Sequence, residues 1–450
     1  MRAVLERAEL FQPTFNPFII LAAKDALRTA AEAERAVMAG EPLGLLHGIP
    51  CSVKDIVNTA GLRTTFGSLL HADNVPEQDA VAVARLRQAG AVLFAKTTTP
   101  EFGAKCLTDA PLFGRTRNAW SEVHTCGGSS GGSAVAVALG IGPIAVATDG
   151  GGSTRIPAAC NGTVGLKQSL GAIAHSQVPD AFGNYTYVTP MTRDVADTAL
   201  MLQAMAGPHP SDPWSVGVPV PDYVAAARPQ GDLSGRRVLF CATPPGRPLS
   251  AATQAAFDTA LRTLEDLGAV LEPFDGGAFD VEPIWRAINH TTWRARFAAL
   301  AERDRDRMSP SLLKQIALAE DVRGVDYQRA MFDRATLYRH VQGLFETADF
   351  LVTPTLSREA LPIDQDLFAP IEIDGQQYPE VRSNWFPWTM PFNITGHPAI
   401  SLPMGFTADG LPLGLQIVGR FRGDGDLLRA ASLFEAATGL LDRWPAEALV

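Results

Sequence analysis

Two glycine-and-serine clusters lie close together in the chain: Gly127-Gly128-Ser129-Ser130-Gly131-Gly132-Ser133 and Asp149-Gly150-Gly151-Gly152-Ser153-Thr154-Arg155. Upstream, one lysine stands in a largely apolar run, Gly48-Ile49-Pro50-Cys51-Ser52-Val53-Lys54-Asp55. Together they supply hydroxyls for nucleophilic attack or proton relay, an amine that can serve as a base, and a row of backbone N–H donors. That set suffices to attack a carbonyl without histidine or metal, and it predicts cleavage of amide-like bonds.

Ser153 follows three glycines that follow an apolar run, a layout that lifts a side chain onto a tight turn at a strand end. Lacking Cβ atoms, Gly150, Gly151 and Gly152 can aim their N–H groups, with that of Ser153, at one substrate oxygen. These amides are the predicted oxyanion hole, in which losing one donor costs about 2.7–4 kcal/mol of transition-state stabilisation. A flexible linker is the competing reading, but it fits poorly between Ile144-Ala145-Val146-Ala147 and Ile156-Pro157-Ala158-Ala159.

A serine needs something to take its proton. The histidines (47, 71, 124, 175, 209, 290, 340 and 397) show no HxxxH or HExxH spacing, so no metal site is predicted, nor any cofactor. A Ser-His-Asp arrangement assembled by the fold stays open. Lys54 is the other candidate base. It is the only Lys or Arg between Arg35 and Arg63, in a run that reads as buried strand. Burial there disfavours the charged amine. A solvated lysine at a strand end is the more ordinary reading of such a residue. The first cluster has neither a GxxxxGK[ST] nor a GxGxxG order, which leaves a phosphate loop unsupported. Its serines can instead relay a proton between Lys54 and Ser153. Asp149 and Arg155 are expected to brace the turn, and Ser130 and Ser133 to satisfy backbone groups. The Trp385-Phe386-Pro387-Trp388 run is expected either to wall an apolar pocket or to pack in the core.

The elements that must hold these groups follow from the rest of the chain. With 450 residues, 46% apolar and 19% charged, it can bury a large core and is neither disordered nor a coiled coil. A net charge of −10 with no dense Lys/Arg block argues against nucleic acid as a partner. Five scattered cysteines without a CxxC pair predict packing thiols in a reducing cytoplasm rather than disulfides. The charged first residues do not read as a signal peptide, and the most apolar run, 134–147, is too short and too glycine-broken to span a bilayer.

Helices are predicted over 22–39, 79–89 with Asp79 as N-cap, 133–139, 195–206, 251–267 and 425–437. Strands are predicted over 91–95, 144–147, 237–241, 269–271, 349–352, 399–402 and 415–418, and 281–347 reads as mostly helical. The alternation predicts a layered α/β fold with substantial parallel pairing. Pro208 to about Arg236 reads as a long surface connection. The late strands are expected to rejoin the first sheet, giving a single domain over 1–450. Its signature core covers about 40–207, a variable, largely helical region about 208–347, and C-terminal strands and helix about 348–450.

The two clusters and the lysine resemble the amidase signature family, with the family's spacing of 24 positions between Ser129 and Ser153. Further family-like segments are Pro100-Glu101-Phe102-Gly103, Phe113 to Asn118, Gly165-Leu166-Lys167, Pro190-Met191-Thr192-Arg193 and Pro391 to Gly419. The resemblance covers nearly the whole chain and is weakest over about 210–345. It implies a large mixed, partly parallel sheet between helices, Lys54 as base, Ser129 as relay across a cis Gly128–Ser129 peptide, and Ser153 as nucleophile. It also implies hydrolysis of small neutral, possibly aryl amides, with carbamates (urethanes) and esters open to the same route, by a monomer or homodimer. An amidotransferase A-type subunit acting only with a partner chain is the alternative. Cys126 departs from the proline usual before the double glycine, Cys51-Ser52 from small apolar residues. Relative to the family, the chain is expected to begin within the usual second early helix, with the first helix missing.

Overall fold

Eleven short runs of small and branched apolar residues pair into one mixed sheet in the computed structural model, which describes residues 1–449. They are β1 (Phe18–Leu21), β2 (Pro50–Lys54), β3 (Val92–Thr97), β4 (Ile144–Asp149), β5 (Val164–Lys167), β6 (Tyr187–Thr192), β7 (Arg237–Phe240), β8 (Val270–Pro273), β9 (Phe350–Pro354), β10 (Ala399–Phe406) and β11 (Pro412–Gly419). Their order across the sheet is β1-β3-β2-β4-β6-β5-β10-β11-β9-β7-β8. β2 runs parallel to β3 and β4, and β7 runs parallel to β8 and β9. The remaining neighbours are antiparallel, so two parallel groups flank an antiparallel centre. The late strands β9, β10 and β11 are continuous with the early ones through the β5–β10 pairing.

Alternation along the strands sends neighbouring side chains to opposite faces. Val238, Val352, Ile400 and Ile417 join one apolar cluster, whereas Leu239, Leu351, Ala399 and Val418 join another. The first cluster is closed by helices Val81–Gln88, Val195–Met205, Ala251–Asp266 and Asp424–Thr438. The second lies beneath the helical excursion, Glu282–Arg303, Pro310–Ala317 and Gly324–Leu344. Two further helices, Gly131–Ala138 and Arg155–Asn161, are buried along their whole length. The first is small or apolar on every side, as a helix without a solvent face requires.

Several sequence expectations need adjusting. The helix expected from Asp79 begins at Val81 after Ala80. Asp79 instead accepts from the Ala60 N–H at 2.6 Å and pairs with Arg87 at 2.9 Å, so its carboxylate ties a loop rather than capping the helix. β1, β5 and β6 are absent from the expected strands. β6 contains Pro190, which ordinarily argues against a sheet interior. Here β5 pairs only with Met191 and Thr192, so Pro190 is paired on one side alone. The 208–236 connection carries one helical turn, Tyr223–Ala226, capped by the Asp222 side chain. No helix among the described residues is long and apolar enough to cross a membrane.

The close approach of the Gly131–Ala138 helix to β3 depends on a missing side chain. A Cβ on Gly132 would lie 2.4 Å from Thr98 Oγ1 and 2.5 Å from the Pro17 carbonyl oxygen. Gly132→Ala should therefore lower stability by roughly 1–3 kcal/mol in urea unfolding, the usual cost of overpacking; an unchanged midpoint would refute that close approach.

Candidate active site

The parallel register of β2 and β4 sets Val53 opposite Val146, which brings the ends of both strands together. Lys54 closes β2 and is fully buried. Its Nζ lies 2.7 Å from Ser129 Oγ, 2.9 Å from Ser130 Oγ and 2.7 Å from Thr148 Oγ1. Burial pushes its pKa well below the ordinary 10.5, with the Asp149 carboxylate pulling weakly the other way. A neutral amine has two N–H groups and one lone pair, so with three hydroxyl neighbours one must donate to it. Ser130 already donates to the Thr148 carbonyl and accepts from the Thr148 N–H. Its proton is committed. Ser129, on the cis Gly128–Ser129 peptide, faces the amine and also lines the cavity.

The second glycine cluster is bolted down from below. Burial alone would raise the Asp149 pKa, but the Arg155 charge and hydrogen bonds and the Asn393 amide outweigh it and hold the carboxyl well below the usual range. Arg155 reaches both carboxylate oxygens at 3.0 Å, and the pair is fully buried. Arg155 also donates to Gln416 Oε1 at 2.7 Å and Asn393 Oδ1 at 2.6 Å, linking the turn to β11 and to the helix Met390–Thr395. Trp285 Nε1 donates to the Gly150 carbonyl at 2.8 Å, and Thr389 Oγ1 to that of Gly151 at 2.7 Å. Gly152 has φ +124°, and a Cβ there would meet Thr389 Oγ1 at 2.4 Å, so glycine is required.

These contacts divide the predicted oxyanion donors. Gly152 N–H donates to Asp149 Oδ1 at 2.7 Å and is spent on the turn itself. Gly150, Gly151 and Ser153 line the cavity, and Gly152 does not. In a trans peptide the C=O and the following N–H point in opposite directions. Pinning the Gly150 carbonyl on Trp285 and the Gly152 carbonyl on the Ile156 N–H therefore fixes how the Gly151 and Ser153 amides are aimed. Ser153 shares the cavity wall with Ser129, and its carbonyl accepts from the Ser130 N–H at 3.1 Å, though no bond joins the two hydroxyls.

The cavity has a volume of about 480 Å³. Its aromatic wall comes from Phe66, Phe102, Tyr185, Trp285, Trp293 and Phe386. Of the Trp385–Trp388 run only Phe386 reaches it. Trp385 donates to the Arg358 and Glu359 carbonyls and Trp388 to that of Ala242, so both indoles satisfy their N–H groups inside the core. Ser133 bonds the Val146 carbonyl, and all five thiols are free, with Cys106 on the cavity wall. His175 is the cavity histidine, pushed down to about 4 by burial. Among the described residues no three His, Cys, Asp or Glu side chains are placed to hold a metal ion. Sequence reasoning missed Thr148 and the Lys54–Ser130 contact. A threonine directly after the apolar Ile144–Ala147 run was the available signal; Trp285, 135 positions after Gly150, offered none.

Comparison with known proteins matches the amidase family model over residues 1–428. An acylamidase of Rhodococcus erythropolis is 39% identical over 450 residues, covering 100% of this chain and 93% of that protein. The A-type subunit of the glutamyl-tRNA(Gln) amidotransferase of Thermosynechococcus vestitus is 31% identical, covering 97% and 94%. The crystal structure of a bacterial aryl acylamidase of the amidase signature family superposes with TM-score 0.89 at 29% identity, covering 98% and 93%.

Removing the Arg155 charge would leave the Asp149 carboxylate buried and unpaired. Arg155→Met should lose about 3–5 kcal/mol of stability at pH 7. The native pKa of Asp149 is depressed, so its stabilising effect is complete above the unfolded value near 3.8 and is lost as pH falls through the native value. The unfolded value is common to both proteins, so the difference between wild type and variant in urea melts should shrink on acidification as the unpaired carboxyl of the variant takes up its proton while that of wild type stays ionised; a constant difference would contradict this origin.

Proposed function

This chain belongs to the amidase family and hydrolyses carboxylic amide bonds other than peptide bonds, and we propose that it does so on small neutral aryl amides through an acyl-enzyme on Ser153. One observation carries the reading: a buried lysine amine among three hydroxyls, of which Ser129 and Thr148 both contact the amine and line the cavity, Ser129 on the same wall as Ser153. Neutral Lys54 takes the proton of Ser129, and Ser129 takes that of Ser153 as Ser153 Oγ attacks the carbonyl carbon. The charge that develops on the carbonyl oxygen falls to the Gly150, Gly151 and Ser153 amides. Lys54, now protonated, returns the proton through Ser129 to the leaving nitrogen, the C–N bond breaks, and water releases the acid from Ser153 by the same relay. Thr148 and Ser130 hold the amine; Asp149 and Arg155 hold the turn.

The aromatic cavity supports an aryl substrate, and the similarity to acylamidases supports the same class. Carbamates and esters fit the same acyl transfer and are included as slower or parallel substrates. The free thiols support a reducing cytoplasmic setting, and the complete constellation within one chain supports a monomer or homodimer acting without a partner.

Ser153→Ala and Lys54→Ala should each reduce kcat on 4-nitroacetanilide by roughly 10⁴-fold or more in the folded variants. Parent-rate hydrolysis by Ser153→Ala would remove the nucleophile assignment. Activity that appears only with glutamine and a second protein chain would favour the amidotransferase reading instead. Because the amine works deprotonated, kcat/KM should be retained through neutral pH and decline on acidification, with a midpoint well below 10.5; a rise only toward pH 10 would mean that burial does not activate Lys54.

A further inference from the structure

The helix Glu282–Arg303 presents one face to the cavity through Trp285, Ile288, Asn289, Thr292, Trp293 and Arg296, the i, i+3, i+4, i+7 pattern of a single stripe. Trp285 anchors this stripe to the glycine turn through its bond to the Gly150 carbonyl. One turn further along stands Asn289, which is only 5% exposed. The Tyr185 hydroxyl donates to its Oδ1 at 2.7 Å. Burial pushes the Tyr185 phenol up, so it stays protonated and able to donate. The other end, Asn289 Nδ2, is buried with no hydrogen-bond partner among the described residues, on a residue that lines the cavity.

Such an orphan is unusual, because a buried N–H that finds no acceptor is costly and native interiors avoid it. Its surroundings hold it in place. Arg334 donates to the carbonyls of Gly183 at 2.8 Å and Asn184 at 2.9 Å, fixing the segment that carries Tyr185. Four residues of helix separate Asn289 from Trp285, about 6 Å along the axis at 1.5 Å per residue. That is close to the span from an amide group to a para substituent across one benzene ring.

We propose that Asn289 is a specificity-determining residue whose Nδ2 donates to a neutral hydrogen-bond acceptor carried by the substrate, a carbonyl, nitro or ether oxygen on an aryl ring remote from the scissile bond. This deepens the aryl-amide reading and rests on cleavage occurring at the glycine turn. It makes Tyr185 and Arg334 positioning residues, acting through the amide rather than on substrate. An acceptor of this kind restores the missing bond, whereas an alkyl group of the same shape leaves the donor buried and unpaired.

The test uses the purified full chain and two isosteric pairs of amides, 4-acetyl against 4-isopropenyl, one pair substituted on the anilide ring and one on the benzoyl ring. The kcat/KM ratio within each pair contains an electronic part common to all variants, so the change of ratio isolates the contact. Asn289→Leu should lower the acceptor preference about tenfold for at least one pair, the worth of one hydrogen bond. Asn289→Asp, which keeps the shape and the Tyr185 contact but loses the donor, should lower it too. Tyr185→Phe should weaken it while Asn289 remains. Anisole should inhibit wild type several-fold more tightly than ethylbenzene, a comparison that needs no substitution. Unchanged ratios in both Asn289 variants, equal inhibition by the two ligands, or a wild-type preference for a 4-amino over a 4-methyl substituent would overturn the proposal. Loss of anilide turnover in Ser153→Ala alongside unchanged ratios would leave the acyl-enzyme reading intact and sink only this inference.

Discussion

A lysine amine held out of water is the constraint around which the rest of the molecule is arranged. An ammonium at position 54 would have to give up its hydration for three hydroxyl contacts in a fully buried site, and burial tilts it toward the neutral base. The strand β2 that carries it is flanked by parallel neighbours on both sides and lies inside the sheet. Two of its three hydroxyl contacts come from the loop before a wholly buried helix, and the third from β4. Moving any of these elements would rehydrate the amine and remove its basicity at neutral pH.

A second buried charge does the opposite work. Asp149 remains ionised because Arg155, Asn393 and the turn's own N–H groups surround it. The carboxylate therefore organises the turn on which Ser153 sits, and the guanidinium extends that order to β11 and to the helix Met390–Thr395. Two buried ionisable residues close together in the fold thus reach opposite outcomes. Lys54 lacks a close counter-ion and is pushed toward neutrality; Asp149 has one and stays charged. The distance between those outcomes lies in partners, not in depth of burial.

The helical excursion supplies what the sheet cannot, a wall that shares one cavity with Ser129 and Ser153. Its long helix touches the glycine turn directly through Trp285, so the cavity wall and the turn that carries Ser153 share a contact at the Gly150 carbonyl. Tyr185 and Arg334 tie the 183–186 segment to the same region from the other side. Polar groups in this wall (Asn289, Thr292 and Arg296 on the long helix) alternate with the aromatic and aliphatic ones.

Much of this was legible along the chain. Local spacing is enough to show a lysine in a strand-like run, a serine after three glycines and alternating helices and strands, because turns and periodicity are set by neighbours in sequence. The family resemblance then assigned roles to Lys54, Ser129 and Ser153 that spacing left open. What spacing could not show were encounters between distant segments. Thr148 beside Lys54, the withdrawal of Trp385 and Trp388 into the core, and Trp285 over Gly150 all depend on how strands register and how helices dock. Each is decided by competition for hydrogen-bond partners in a packed interior. That competition exists only once residues far apart in the chain have been brought together, as Trp285 and Gly150 are at 2.8 Å.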